Sequence, residues 1–183
     1  MNAQIDVTDI RIETPRLILR AWKESDLSDL YAYASEPGVG EMAGWSHHES
    51  LEDSQKILRL FMEGKKTFAL ELKETGTVIG SLGIEYLDPD PAENEKYGRQ
   101  IGYVLGKAHW GRGLMTEAVK AVIDYCFYTL NYDFLTCGHF VQNSRSRRVV
   151  EKCGFIYYRD SVFHTQYGTE EESRDYVICK PSK

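Results

Sequence analysis

Cysteine is scarce in this 183-residue chain, and its spacing suits neither metal nor disulfide chemistry. Cys126, Cys137, Cys153 and Cys179 stand far apart, with no Cys-x-x-Cys pair and no His/Cys cluster. That argues against a zinc site and against a small disulfide scaffold. The expectation is reduced, mostly buried thiols in a cytoplasmic protein that holds no metal. Long apolar runs are absent too, so no membrane partner is expected. Met1-Asn2-Ala3-Gln4-Ile5-Asp6 lacks the basic and apolar regions of a signal peptide. Positive charge is not in excess: the net charge of −6 argues against direct binding to nucleic acid. The Walker lysine pattern is missing, which argues against a P-loop nucleotidase. No repeat, low-complexity tract or linker divides the chain. One domain over residues 1–183 is expected, as a monomer or homodimer, with residues 1–10 as a loose N-terminal segment.

What the chain does have is a strand, a glycine-flanked turn and a helix in succession. Ile101-Gly102-Tyr103-Val104-Leu105 is short and apolar, which suits a buried strand. Trp110-Gly111-Arg112-Gly113-Leu114-Met115-Thr116-Glu117-Ala118 follows, and its glycines permit a tight turn and close approach of a ligand. Ala118, Val119, Val122, Ile123, Cys126, Phe127 and Leu130 then recur at helical spacing. The first turn of such a helix offers unpaired N–H groups and the positive end of a dipole to an anion. Spacing alone fits both a phosphate site and a plain strand-to-helix turn.

Around this core the chain alternates. Strands are expected at Leu17-Ile18-Leu19-Arg20, Thr67–Leu72, Val78–Ile84, Gln100–Leu105 and Phe134–His139. A helix starts at Ser25-Asp26-Leu27 and ends at Pro37-Gly38. A second opens on the capping box Ser50-Leu51-Glu52-Asp53 and stops near Gly64. Asp88-Pro89-Asp90-Pro91 is a loop. Gly154 closes a helix, and Phe155–Phe163 with Asp175–Cys179 makes an antiparallel pair across Gly168–Glu172. The pattern predicts an α/β fold of α+β type, with a mixed sheet and helices on both faces.

Three segments resemble the GNAT superfamily of acetyl-CoA-dependent N-acetyltransferases, in its RimJ/RimL-type branch. They are Thr14-Pro15-Arg16-Leu17-Ile18-Leu19-Arg20, the Trp110–Ala118 stretch, and Asn143-Ser144-Arg145-Ser146-Arg147-Arg148-Val149-Val150-Glu151-Lys152-Cys153-Gly154-Phe155. They fall in the family's order and span nearly the whole chain. Of the strict pyrophosphate motif, Gln/Arg-x-x-Gly-x-Gly/Ala, only the central glycine is matched, by Gly113. The resemblance implies a GNAT-like acyl-CoA N-acyltransferase fold with a central, mostly antiparallel sheet, and acetyl-CoA as co-substrate. The strand ending at Leu105 then splays from Phe134–His139, and the pantetheine arm lies in the gap. Tyr103, Val104 and Leu105 face the acetyl and pantetheine end. Arg112, Gly113, Leu114, Met115 and Thr116 supply pyrophosphate N–H groups.

Asn143 fits a helix N-cap by its intrinsic preference, and a contact with pantetheine by resemblance. Arg145, Arg147, Arg148 and Lys152 fit a solvated helix face, with Arg148 the favoured phosphate partner. Where many relatives carry a tyrosine that protonates the leaving thiolate, this chain has Val150, so Ser146 is the substitute. Ser146 also fits a plain capping role. Where relatives often carry Glu, this chain has Gln100, which can orient an amine or water but cannot be a base. Glu85, His47 and His48 are the base candidates, and each also fits a structural or surface role. Trp45 and Tyr33 fit either the acceptor site or the core.

The implied reaction is acetyl transfer to a primary amine, with a protein N-terminal α-amine as first choice. Polyamine, amino acid or aminoglycoside is the alternative within that class. A non-catalytic acyl-CoA-binding module is the alternative outside it, kept open by Gln100 and Val150.

Overall fold

A computed structural model describes residues 1–87 and 96–181, so the expected loop at Asp88–Pro91 lies outside the described residues. The strands are β1 (Arg11–Glu13), β2 (Leu17–Arg20), β3 (Thr67–Leu72), β4 (Val78–Glu85), β5 (Gly98–Leu105), β6 (Phe134–Phe140), β7 (Ile156–His164) and β8 (Glu170–Cys179). They form one sheet in the order β1-β2-β3-β4-β5-β6-β8-β7. Every neighbouring pair is antiparallel except β5 with β6. Among the described residues, no helix is long and apolar enough to cross a membrane.

Alternation along the strands assigns the two faces. Phe68, Leu70 and Leu72 of β3 join a core with helix α3 (Leu114–Asp124) and helix α4 (Ser144–Lys152) through Leu114, Val119, Val122 and Val150. Ala69 of the same strand points the other way. It packs with Leu30, Tyr33 and Ala34 of helix α1 (Leu27–Ala34) and Leu58 of helix α2 (Leu51–Gly64). Strand β4 is apolar almost throughout because both its faces are covered. The expected helix after Gly113 continues past Asp124 as a π-turn over Tyr125–Thr129, and Asn131 follows with φ of 58°.

Local chemistry sets the helix ends. Ser50 Oγ accepts from Asp53 N–H at 3.2 Å, and Asp53 accepts from Ser50 N–H at 3.1 Å, so aspartate completes the capping box. Lys65 ends α2 in the left-handed region at φ 51°. Arg20 is buried yet fully engaged: it donates twice to Asp26, at 2.8 and 2.9 Å, and once to Glu71 at 2.6 Å. That network ties β2 to β3 and to the turn that starts α1.

The N-terminal segment is not loose. Ala3 and Val7 are buried, Ala3 N–H donates to Gly98 carbonyl at 3.2 Å, and Val7 N–H donates to Lys65 carbonyl at 2.9 Å. Arg99, 1% exposed, donates to Ala3 carbonyl at 2.6 Å. Two apolar side chains and a buried arginine suffice to hold a stretch with no helical or strand period. Strand β1 was likewise not expected, and the β7–β8 turn is tighter than read, with β8 beginning at Glu170.

Candidate active site

Strands β5 and β6 stay in register only from Gly98↔Phe134 to Ile101↔Cys137. Beyond that, β5 remains with β4 as far as Leu105 and β6 remains with β8 as far as Phe140. The two halves of the sheet part, and a cleft of about 1140 Å³ opens between them. Tyr103, Val104 and Leu105 line one wall, and Gly138, His139 and Phe140 the other.

The start of α3 meets the same cleft. Gly111 and Gly113 have φ of 74° and 76°. A Cβ at Gly111 would touch nothing, so backbone conformation rather than crowding selects glycine there. No side chain caps α3, and Gly113, Leu114, Met115 and Thr116 all line the cleft. Arg112 does not line it. Its carbonyl accepts from Arg16 Nη1 at 2.8 Å, and its guanidinium lies 3.4 Å from His109.

Helix α4 supplies the next wall. Asn143 is its N-cap, accepting from Ser146 N–H at 3.1 Å, and its Nδ2 donates to Met42 carbonyl at 3.4 Å. Ser146 Oγ lies 2.8 Å from the Tyr103 hydroxyl. Burial pushes the Tyr103 phenol well above its ordinary pKa, and the Cys137 thiol up to about 12. Val150, one turn on, is core. Arg145, Arg148 and Lys152 line the cleft, with the Arg145 guanidinium 4.4 Å from the Trp110 ring centroid. Arg147 is not on this wall, and pairs with Glu151 at 2.7 Å.

The opposite face of the sheet brings an ion pair, Asp175 with Arg159, to the cleft. Gln100, Thr136 and Asp175 project there, because Gln100 pairs with Thr136 and Gly138 pairs with Asp175 in register. Asp175 is the one carboxylate among the described residues lining the cleft. It accepts from Arg159 at 3.0 Å. Gly138 leaves space beside it: a Cβ there would stand 3.1 Å from Asp175 Oδ1.

None of the base candidates Glu85, His47 and His48 lines the cleft, whereas Gln100, which can only orient, does. Glu85 pairs with Gln100 in register, and its carboxylate is held by Lys66. His48 is buried away from the cleft, with Nδ1 2.7 Å from Ser54 Oγ, and burial lowers its pKa. His47 pairs with Glu41 at 2.7 Å. Trp45 stacks near His48 at 5.2 Å, and Tyr33 is in the core.

Two residues of the cleft escaped the sequence. His139 is buried, with Nδ1 2.8 Å from Phe140 carbonyl and Nε2 3.2 Å from the Tyr176 hydroxyl. A carbonyl only accepts, so Nδ1 is the donor in the first of these contacts. Asp175 sits in an alternating strand, and only the β6–β8 register shows which face it takes.

Comparison with known proteins gives the family and the fold. Residues 16–156 match the family described as acetyltransferase (GNAT) domain. A Bacillus subtilis protein named uncharacterized N-acetyltransferase YoaA is 29% identical over 179 residues, covering 93% of this chain and 97% of its own. The crystal structure of a GNAT-family acetyltransferase from Bacillus anthracis superposes with a TM-score of 0.81 at 20% identity, covering 93% of this chain and 99% of that one. Spermidine N-acetyltransferase from Vibrio cholerae, solved with CoA and spermine, has a TM-score of 0.70 at 19% identity, covering 91% and 97%.

Proposed function

The chain belongs to the GNAT acetyltransferase family, and from that premise we propose that it acetylates a cationic primary amine presented across the sheet from acetyl-CoA. Membership makes it an acetyl-CoA-dependent N-acetyltransferase and sets aside a non-catalytic binding module. The first-choice acceptor is a protein N-terminal α-amine, on the RimJ/RimL-type likeness of its three motifs. A polyamine or other small amine is the second, favoured by the fold shared with the spermidine enzyme. The whole chain acts as one cytoplasmic domain in this proposal.

The observation that carries it is the cationic α4 wall beside the α3 start, with one carboxylate among the described residues, Asp175, reaching the cleft from the other face. Arg145, Arg148 and Lys152 stand on the α4 side, which suits the phosphates of CoA. Asp175 stands on the other face with Arg159, and an ammonium there would share its carboxylate with that guanidinium. Tyr103, Val104 and Leu105 hold the thioester and pantetheine, with Asn143 at the α4 end, and Gly113, Leu114, Met115 and Thr116 take the pyrophosphate. The amine loses a proton to water, since Glu85 and His48 stand outside the cleft, and Gln100 orients it. Its nitrogen then attacks the thioester carbonyl, polarised by backbone N–H near Val104 or Leu105. The carbon–sulfur bond breaks, Ser146 Oγ, backed by Tyr103, gives a hydrogen bond to the departing thiolate, and the proton shed by the new amide nitrogen ends on the sulfur.

An acceptor screen that follows free thiol tests this, with basic N-terminal peptides and polyamines in the panel. Asp175→Asn should then raise the acceptor KM about tenfold, the scale of a hydrogen bond to a charged group. The acetyl-CoA KM should not move. An unchanged acceptor KM removes Asp175 from acceptor binding.

A further inference from the structure

The Thr14-Pro15-Arg16 segment belongs to none of the roles above, yet it reaches the α3 start across roughly a hundred residues of sequence. Glu117, one turn into α3, is the meeting point. Its Oε1 accepts from Thr14 Oγ1 at 2.6 Å and from Arg16 N–H at 2.9 Å. Its Oε2 accepts from Arg16 Nε and Nη2, both at 2.7 Å. The remaining arm of the guanidinium, Nη1, donates to Arg112 carbonyl at 2.8 Å. Glu117 is mostly buried, its side chain 15% exposed. Burial alone would raise its pKa, and the Thr14 and Arg16 donors outweigh burial and lower it.

The last contact has a geometric consequence. In a trans peptide the C=O and the following N–H point in opposite directions. Holding the Arg112 carbonyl on Arg16 therefore turns the Gly113 N–H away from Arg16. Gly113, but not Arg112, lines the cleft. Its φ of 76° is one of many that glycine adopts freely, so an external hold on the peptide before it selects this conformation. A rigid, forked side chain can grip a carboxylate and a carbonyl at once, which a lysine cannot.

We propose that Thr14, Arg16 and Glu117 form a clasp that fixes the Arg112–Gly113 peptide, so that Gly113 N–H is aimed at the pyrophosphate of the cofactor. Arg16 is thus a positioning residue, acting through the peptide rather than on the ligand. This rests on the reading of the α3 start as the pyrophosphate site.

The test compares acetyl-CoA with S-acetylpantetheine, which carries the thioester arm but no pyrophosphate. Wild type, Arg16→Met, Glu117→Gln and Gly113→Asp are titrated with each, by calorimetry for acetyl-CoA and by backbone amide NMR shifts for the weaker ligand. Arg16→Met and Glu117→Gln should each weaken acetyl-CoA roughly tenfold, leave S-acetylpantetheine unchanged and displace the Gly113 amide resonance. Glu117→Gln is decisive because it removes no positive charge and is nearly isosteric, so it serves even where Arg16→Met fails to fold. If Arg16 were a direct phosphate ligand, Glu117→Gln would free it and acetyl-CoA would bind as well or better, which overturns the clasp. Equal loss for both ligands would mean general loosening, and overturns it as well. Gly113→Asp separates the two claims: weakened acetyl-CoA there with normal binding in both clasp variants sinks the clasp alone. Normal acetyl-CoA binding in Gly113→Asp sinks the pyrophosphate reading itself.

Discussion

Neither hydroxyl of the Tyr103–Ser146 pair is acidic, and burial makes the phenol less so. In the proposed reaction they serve the departing thiolate as a hydrogen-bond chain. With Tyr103 O–H donating to Ser146 Oγ, the serine proton is free to turn toward the sulfur. Ser146→Ala should lower kcat about tenfold or more, within the usual range for an assisted proton transfer. It should leave the acetyl-CoA dissociation constant close to wild type. Steady-state kinetics with an identified acceptor, beside calorimetry, checks this, and wild-type turnover would leave Ser146 as a helix-start residue only. Single residues were unevenly legible. Asn143 as a cap follows from its type and its place before an amphipathic run. Ser146 stands out because Val150, one turn further on, replaces the motif tyrosine. Asp175 and His139 were hidden because their meaning lies in which strand they oppose, and a sequence read alone does not give a non-local register.

At the scale of elements, the strand, turn and helix around Gly113 were readable because each part carries its own signal. These are β-branched and aromatic content, glycine at two left-handed positions, and a helical apolar period. The same element fixes a prediction. Gly113→Asp forces a side chain onto a φ of 76° and sets a carboxylate at the helix start. Acetyl-CoA binding should fall by tenfold or more, while circular dichroism keeps its folded signature. Calorimetry of a folded variant with unchanged affinity contradicts the assignment. The residue 1–10 segment shows the opposite case. Its hold on the molecule comes from Ala3, Val7 and contacts with Gly98, Arg99 and Lys65, all distant in sequence. Nothing periodic marks such a segment, because it is ordered by what it lies against.

For the whole molecule, the arrangement of the cleft decides the kinetic order. In the proposed arrangement amine and thioester approach from opposite faces of one sheet, so both can be bound together, and direct attack needs no enzyme-bound acetyl group. The thiols agree. Burial pushes Cys126 and Cys137 up to about 12 and Cys153 up to about 11, far from the thiolate that a covalent route requires. Cys179 is exposed and borders the cleft beside Phe134, at the end where β5 and β6 are still joined and away from Tyr103 and Leu105. Initial-rate plots should intersect, and intact mass after acetyl-CoA alone should show no adduct. A stoichiometric acetyl-cysteine released by amine would overturn direct transfer. The parting of β5 and β6 also has a thermodynamic side. Only four residue pairs join one half of the sheet to the other, Gly98↔Phe134 through Ile101↔Cys137. A ligand that lays its own amides across that gap has no counterpart site in the unfolded chain. At a hundred times its dissociation constant such a ligand adds about 2.7 kcal/mol to folding. That is a large share of the roughly 5–15 kcal/mol that holds an ordinary domain together. The supply of its own co-substrate thereby enters the folding equilibrium of the enzyme, and sets how often the chain opens to proteases.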